Sequence, residues 1–390
     1  MIPFQVQNIK KKFLILICLS ANLFLTGCWD RKEVNDMALV LGAAIDKDKG
    51  DSIKLSLQIL IPRAVSSGQT GGGGGGPEVM TRSAVGENMA DAASKLQLKF
   101  PRKIFWGHCK TFVIGKELAE SGNLHKQIDF LLRHPEPRER AYLYVGDGEA
   151  GSYLKYNPPL ERYTGEGLRK LSELHIGVDT TVKDFEEMVT GDAGAAILPL
   201  IKGKGAPDLI GSAIFKKDKM VGQINTKVTR GLMWLRNEIE VTAVTVTPRK
   251  GETIALDPIR ASTKLLPTIK NGKWKILVKV SSEGTIVQNG SNLDVMSPTI
   301  TKRVEKELEQ DIKQRINISL KQVKQGMNID AFGFADAFHR KYPKEWEKVK
   351  NHWDVVLPKV EVKININTRI RRPGLSTKPA GLKEEEVEKK

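Results

Sequence analysis

The chain has 390 residues, 62 Lys and Arg against 46 Asp and Glu, and a formal charge of +16, with 40% hydrophobic and 28% charged residues. This length exceeds what one hydrophobic core supports, so two or three domains are expected. The basic excess raises nucleic acid as a partner, but there is no arginine-rich block and the six Trp and six Tyr are scattered, which excludes that class.

Lys10, Lys11 and Lys12 precede an apolar run from Phe13 to Leu25 that already contains Ser20 and Asn22. A membrane-crossing helix needs about 20 apolar residues, and this run falls short. A basic start, a short apolar stretch and small residues at its exit are the anatomy of a secretory signal peptide. Leu25-Thr26-Gly27-Cys28 resembles the lipobox of bacterial lipoproteins. Its aliphatic and small residues suit a peptidase cleft at the bilayer surface, and the Cys28 thiol can take a thioether-linked diacylglycerol. Cleavage between Gly27 and Cys28 is expected to remove residues 1–27 and to leave a lipidated N-terminus. Two acyl chains anchor stably where one holds marginally, each buried CH₂ contributing about 0.8 kcal/mol. Loss of the three lysines brings the formal charge to +13, and a membrane-tethered basic chain meets anionic lipid first, at about 1 kcal/mol per nearby Lys or Arg. With Cys18 removed and Cys28 acylated, only Cys109 remains, so no internal disulfide forms and stability rests on core burial.

Asp30 is expected to cap a short helix reaching Asn35 or Asp36, followed by a strand over Ala38–Ile45. Asp46–Asp51 reads as a turn, and Ile53, Leu55, Leu57, Ile59 and Ile61 alternate at period two, completing a hairpin. Ser66–Pro77 is glycine-rich, with no side chains to bury, and reads as an exposed loop. A phosphate-binding loop would exit through Gly-Lys-Ser/Thr, whereas Pro77-Glu78 follows here. A helical pattern over Val85–Leu98 leads to a strand at Cys109–Ile114, a helical turn at Lys116–Glu120, a helix at Leu124–Arg133 and a strand at Arg140–Val145. The stretch Thr190–Asp208 is rich in Gly, Ala and Pro and marks the division between an N-terminal region, 28–195, with room for two subdomains, and a C-terminal domain, 208–372.

Beyond it, Gly211–Ile224 reads as a hairpin turning at Lys217-Asp218, followed by a helix through Trp234 and strands near Ile239–Thr247 and Thr253–Lys264. Asn271-Gly272 is a strong tight-turn signal, after which Trp274, Ile276, Val278 and Val280 share one strand face. Ser297-Pro298 starts a long helix that should stop at Gly326, about 42 Å at ~1.5 Å per residue. Ile300, Val304, Leu308, Ile312, Ile316 and Leu320 recur every four residues, so their stripe drifts around the helix. A coiled-coil seam averages 3.5, and the helix is therefore expected to wind across its own sheet. A last strand carries Val360, Val362, Ile364, Ile366 and Ile370 on one face, and residues 373–390 form a polar tail expected to be disordered. The fold class is α+β and multi-domain, with mixed, largely antiparallel sheets, packed helices and a long helix in the C-terminal domain.

Catalytic signatures are missing. The histidines at 108, 125, 134, 175, 339 and 352 lack zinc-ligand spacing. His108 and Cys109, adjacent in an expected strand, point to opposite faces, and Cys109 reads as a small core residue. Glu186 and Glu187 diverge by ~100° on a helix, and no Gly-x-Ser-x-Gly elbow occurs. No metal or cofactor is expected. Arg133, Arg138 and Arg140 crowd a loop stiffened by two prolines. Guanidinium groups engage phosphate bidentately, which suggests a membrane- or partner-facing surface.

Three blocks, "GCWDRKEVNDMALVLGAAID", "GHCKTFVIGKELAESG" and "GSAIFKKDKMVGQINTKVTRGLMWL", resemble in that order the Ger(x)C family, the C-subunit lipoproteins of spore germinant receptors. The resemblance implies three mixed α/β domains and a non-enzymatic subunit on the outer face of the inner spore membrane. It implies a lipid anchor beside membrane-embedded A and B subunits, with germinant binding assigned to the transporter-like B subunit rather than to this chain. The reading from another class is a solute-binding lipoprotein that delivers a ligand to a transporter; such proteins show two βαβ-rich lobes, whereas hairpin signals dominate this sequence.

Overall fold

In a computed structural model, which describes residues 33, 36–61, 79–156, 158–203, 206–240, 243–249, 251–372, 376 and 379–388, two sheets carry the fold. β1 (Met37–Lys47), β2 (Ile53–Leu60), β3 (Val79–Gly86), β4 (Lys103–Phe105), β5 (Thr111–Gly115), β6 (Tyr142–Gly146), β7 (Ala195–Lys202), β8 (Asp208–Lys216) and β9 (Lys219–Asn225) build the first. Its order is β3-β2-β1-β5-β6-β7-β8-β9, with β4 on β1. The centre, β1-β5-β6-β7, is parallel, a feature the hairpin signals did not announce. Antiparallel pairs extend both edges. The hairpins expected over 38–61 and 211–224 are both present.

α1 (Met89–Gln97), α2 (Lys116–Ser121), α3 (Leu124–Arg133) and α5 (Val182–Thr190) bury their apolar stripes on one face of this sheet, against Ile53, Leu55, Leu57, Ile59, Phe112 and Phe215 among others; α4 (Thr164–Glu173) lies elsewhere. The expected period-two pattern of β2 holds for those isoleucines and leucines, yet Ser56 and Gln58 between them are buried too. The second face is covered by the 3-10 turn Ala150–Lys155 and by α4. Gln58 donates from Nε2 to the Leu154 carbonyl (2.8 Å), and the Asp46 carboxylate accepts from the backbone N–H groups of Ala150 (2.6 Å) and Gly151 (2.8 Å). Burial of polar groups is tolerated because each finds a partner.

Three local expectations change. The helix placed from Val85 begins only at Met89, because β3 occupies Val79–Gly86 and Asn88 accepts from the Asp91 N–H as the cap. Cys109 lies in a turn before β5, its N–H bonded to the Trp106 carbonyl, so exposed His108 and buried Cys109 diverge through turn geometry rather than strand alternation. Ala195–Lys202, inside the stretch read as a division, is strand β7; it is buried on both faces and shows no alternation to detect. The first sheet continues past it into β8 and β9.

α6 (Thr226–Arg236) leads to the second sheet: β10 (Val244–Arg249), β11 (Glu252–Lys270), β12 (Lys273–Asn289) and β13 (Glu361–Arg372), in sequence order. Asn271 (φ 50°) and Gly272 (φ 72°) turn β11 into β12 in the left-handed region that the dipeptide favours. β12 and β13 are parallel, joined by a crossover through α7 (Pro298–Ser319). The helical path continues as a π-helical segment over Leu320–Met327, through Gly326, and ends where Asn328 turns left-handed (φ 55°). Ile300, Val304, Leu308, Ile312 and Ile316 are buried to within 4% of full enclosure, with Leu320 at 8%, against sheet and α6, so the stripe serves the chain's own core. α8 (Phe334–Lys341), α9 (Pro343–Glu347) and α10 (Trp353–Val356) fill the remaining flank. In the tail expected to be disordered, Glu388 bridges to Leu293 and its carboxylate pairs with Arg249. All elements from Ala38 onward belong to one compact unit.

The close crossing of α6 and α7 depends on Gly231. A Cβ there would lie 2.1 Å from the Arg315 carbonyl oxygen and 2.6 Å from Ser319 Oγ, which itself donates to the Val228 carbonyl. On helix propensity alone, Gly231→Ala would stabilise by about 1 kcal/mol. The crossing reverses the sign, and we expect a loss of about 1–3 kcal/mol from overpacking, read as a lower urea midpoint. An unchanged or higher midpoint would show that the helices separate without cost.

Candidate functional site

The loops after α4, α5 and α6 converge with the segment before α8 on a cavity of about 490 Å³. Asp179, Asp184 and Glu187 line one side, Arg236 and Glu238 another, Asp330, Gly333 and Asp336 a third. The wall is therefore strongly acidic, with Arg236 as its cation. That guanidinium is already engaged: Nε donates to Glu238 Oε1 (2.8 Å) and a terminal nitrogen donates to the Ala331 carbonyl (3.3 Å). Burial raises the carboxyls of Asp179 and Asp336 above the usual range; neighbouring Asp192 pushes Asp336 further, while His175 draws Asp179 back. His175 Nδ1 lies 2.8 Å from Asp179, and His339 Nδ1 2.5 Å from Asp192.

Asp330 is the organising group. Fully buried, it accepts from Phe332 N–H (3.3 Å) and Phe334 N–H (3.1 Å) at one oxygen, and from Ala335 N–H (2.7 Å) and Trp353 Nε1 (2.9 Å) at the other. Burial pushes its carboxyl up while these four donors pull it back. The bonds fix the entry to α8 and lock Trp353 into an aromatic cluster with Trp274, Phe338 and Trp346.

The cavity is electrostatically hospitable to positive charge. Among the described residues its lining contains neither Ser, Cys, Lys nor His, and the Thr180 hydroxyl is bonded to the Ile197 carbonyl (2.7 Å). Among the described residues, no three His, Cys, Asp or Glu side chains group to hold a metal. Cys109 is fully buried, its thiol pushed up to about 12 by desolvation, far from a nucleophile's range.

Gly27 and Cys28, the expected cleavage and lipidation site, lie outside the described residues, as does the glycine-rich loop. Arg133, Arg138 and Arg140 are exposed where the sequence put them. Arg133, however, is tied to Asp129 (2.7 Å), and Glu136 and Glu139 intervene, so the loop carries little net charge. The cavity escaped sequence reading because its lining runs from 178 to 336 with no shared motif. No helix among the described residues is long and apolar enough to cross a membrane.

Comparison with known proteins is consistent from residue 30 to residue 374. A family model for the spore germination protein N-terminal domain matches residues 30–203, and one for the spore germination B3/GerAC-like C-terminal region matches residues 210–374. Spore germination protein KC of Bacillus subtilis (strain 168) is 30% identical over 399 residues, covering 95% of this chain and 98% of the relative. Spore germination protein B3 of the same strain is 26% identical over 369 residues, covering 89% and 94%. The crystal structure of the GerBC protein shares the fold, with a TM-score of 0.55 at 22% identity over 85% of this chain and 97% of that one.

Two outcomes follow from the buried groups. Asp330→Ala leaves three backbone donors and an indole N–H unpaired, and should lower stability by about 3 kcal/mol with a red shift in tryptophan emission; an unaltered spectrum would mean Trp353 is held by packing alone. Cys109 should resist iodoacetamide at pH 8 in the folded protein and react upon unfolding in urea. Rapid native labelling would contradict its burial.

Proposed function

This chain belongs to the Ger(x)C family of spore germination proteins, and we propose that it is the lipid-anchored, non-catalytic C subunit of a spore germinant receptor. The observation that carries the reading is the ordered match of both family models, together with 30% identity to spore germination protein KC across nearly the whole of each chain. In this reading residues 1–27 are a signal peptide, and diacylglycerol and palmitate on Cys28 hold residues 28–390 to the outer face of the inner spore membrane. Two acyl chains suffice for stable attachment.

The subunit's work is assembly and coupling with membrane-embedded A and B subunits. An acidic cavity whose described lining has no Ser, Cys, Lys or His, and a buried, unreactive Cys109, support a role through surface complementarity rather than bond chemistry. Germinant binding is left to a partner. The exposed Arg138 and Arg140, on the loop following α3, form a partner-facing surface in this proposal.

Labelled palmitate should enter the wild type in its host and not Cys28→Ala. Crosslinking of the lipidated protein in spore inner membranes should recover A- and B-type partners. Equal labelling of both proteins would overturn the anchor, and recovery of a solute transporter instead would overturn the receptor assignment.

A further inference from the structure

The second sheet covers only one of its faces. Ile276, Val278, Val280 and Ile286 of β12, with Leu265 of β11 and Val362, Ile364 and Ile366 of β13, point into the core beneath α6, α7 and α8. Strand register fixes what the opposite face carries. Row by row it sets Lys264 beside Lys279, Leu277 beside Lys363, and Arg260 beside Glu283 and Arg369, with Lys270 and Lys273 at the hairpin tip. Lys264, Lys279, Lys363, Arg260 and Arg369 are exposed, and among the described residues none makes an ion pair. Two carboxylates of these strands are already paired with neighbouring cations, Glu361 with Lys275 (2.5 Å) and Glu283 with Arg371 (2.6 Å), which leaves those five without a partner of their own.

We propose that this outer face lies against an anionic lipid headgroup layer, an inference that deepens the membrane-anchored reading and rests on it. Charge complementarity is the first argument. Cations on one face of strands that rise about 3.3 Å per residue sit about 6.6 Å or more apart along a strand, with the next strand about 4.8 Å away, and each contributes about 1 kcal/mol, or fivefold, near anionic lipid. The second is the chemistry of the face. The exposed apolar side chains of β11 and β12 are Leu266 and, at the two breaks in pairing register, Ile259 and Val287, with Leu277 half-buried; they are set apart along the strands, whereas a stable protein interface needs a desolvated apolar or aromatic centre. A wet, cation-rich surface suits headgroups instead.

The test uses residues 29–390, which retain the compact unit from Ala38 and carry no acyl chain, so a failed anchor at Cys28 would not affect the result. At low salt this protein should sediment with phosphatidylglycerol vesicles, not with phosphatidylcholine vesicles, and should release in ~1 M salt, where the Debye length is about 3 Å. Neutralising Lys264, Lys279 and Lys363 to Gln should weaken binding about a hundredfold. The parallel neutralisation of Arg133, Arg138 and Arg140 should change it less than threefold. Should the sheet variant misfold by circular dichroism, Lys279→Gln alone should still cost about fivefold. Wild-type affinity in the sheet variants, loss confined to the loop variant, or equal binding to phosphatidylcholine would overturn the proposal. Failure to bind vesicles with retention on polyglutamate would reassign the face to an acidic protein partner and overturn it equally.

Discussion

The separation of α6 and α7 is the constraint on which the rest of the chain depends. α6 leaves the edge of the first sheet directly from β9, and α7 is the crossover that makes β12 and β13 parallel neighbours. Both sheets therefore meet at one helix crossing. Residues of the first sheet, Ile197, Ile214 and Ile224, belong to the same core as Ile254, Leu256 and Val278 of the second, and this continuity requires the backbones to approach at Gly231. A side chain there would push α7 away from α6 and open a cavity beneath its stripe, at a cost that grows with the volume left empty.

Charge is distributed by the same architecture. Beside this core, carboxylates line a cavity in which Arg236 pairs with Glu238 and Asp330 fixes the entry to α8. The cations are sent outward, to the uncovered face of the second sheet. The formal +16 is thus no uniform property. The molecule has an acidic interior pocket, in which Arg236 pairs with Glu238, and a basic exterior plane.

Elements with one exposed face were legible. α3 begins and ends at the residues its periodicity indicates, the turns at Lys217-Asp218 and Asn271-Gly272 stand where their left-handed residues put them, and α7's stripe faced its own sheet. Sequence reading failed where both faces are covered or where polar groups are buried in pairs. β7 has no alternation. β3 is an edge strand whose Thr81, Arg82 and Ser83 hide a sheet position behind a helical-looking continuation. The parallel centre of the first sheet depends on partners distant in sequence, such as Ala43 with Phe112. The cavity and the basic face share this cause: each is assembled by tertiary register, not by neighbours in the chain.

In the proposed arrangement, anchor and face do different physical work. Acyl chains hold a protein to the bilayer but leave it free to rotate, since their attachment is indifferent to which surface turns inward. A basic plane contributes little to retention once the protein is tethered, yet tethering raises its effective concentration at the headgroups to the millimolar scale, where even weak, salt-screened attraction selects one orientation. With the second sheet's outer face toward the lipid, its covered side, bearing α7 and the aromatic cluster about Trp353, turns away from the membrane. Under the proposed role in assembly this division matters, because partners in the same membrane would dock on the chain with fixed geometry only if its orientation is set before they meet.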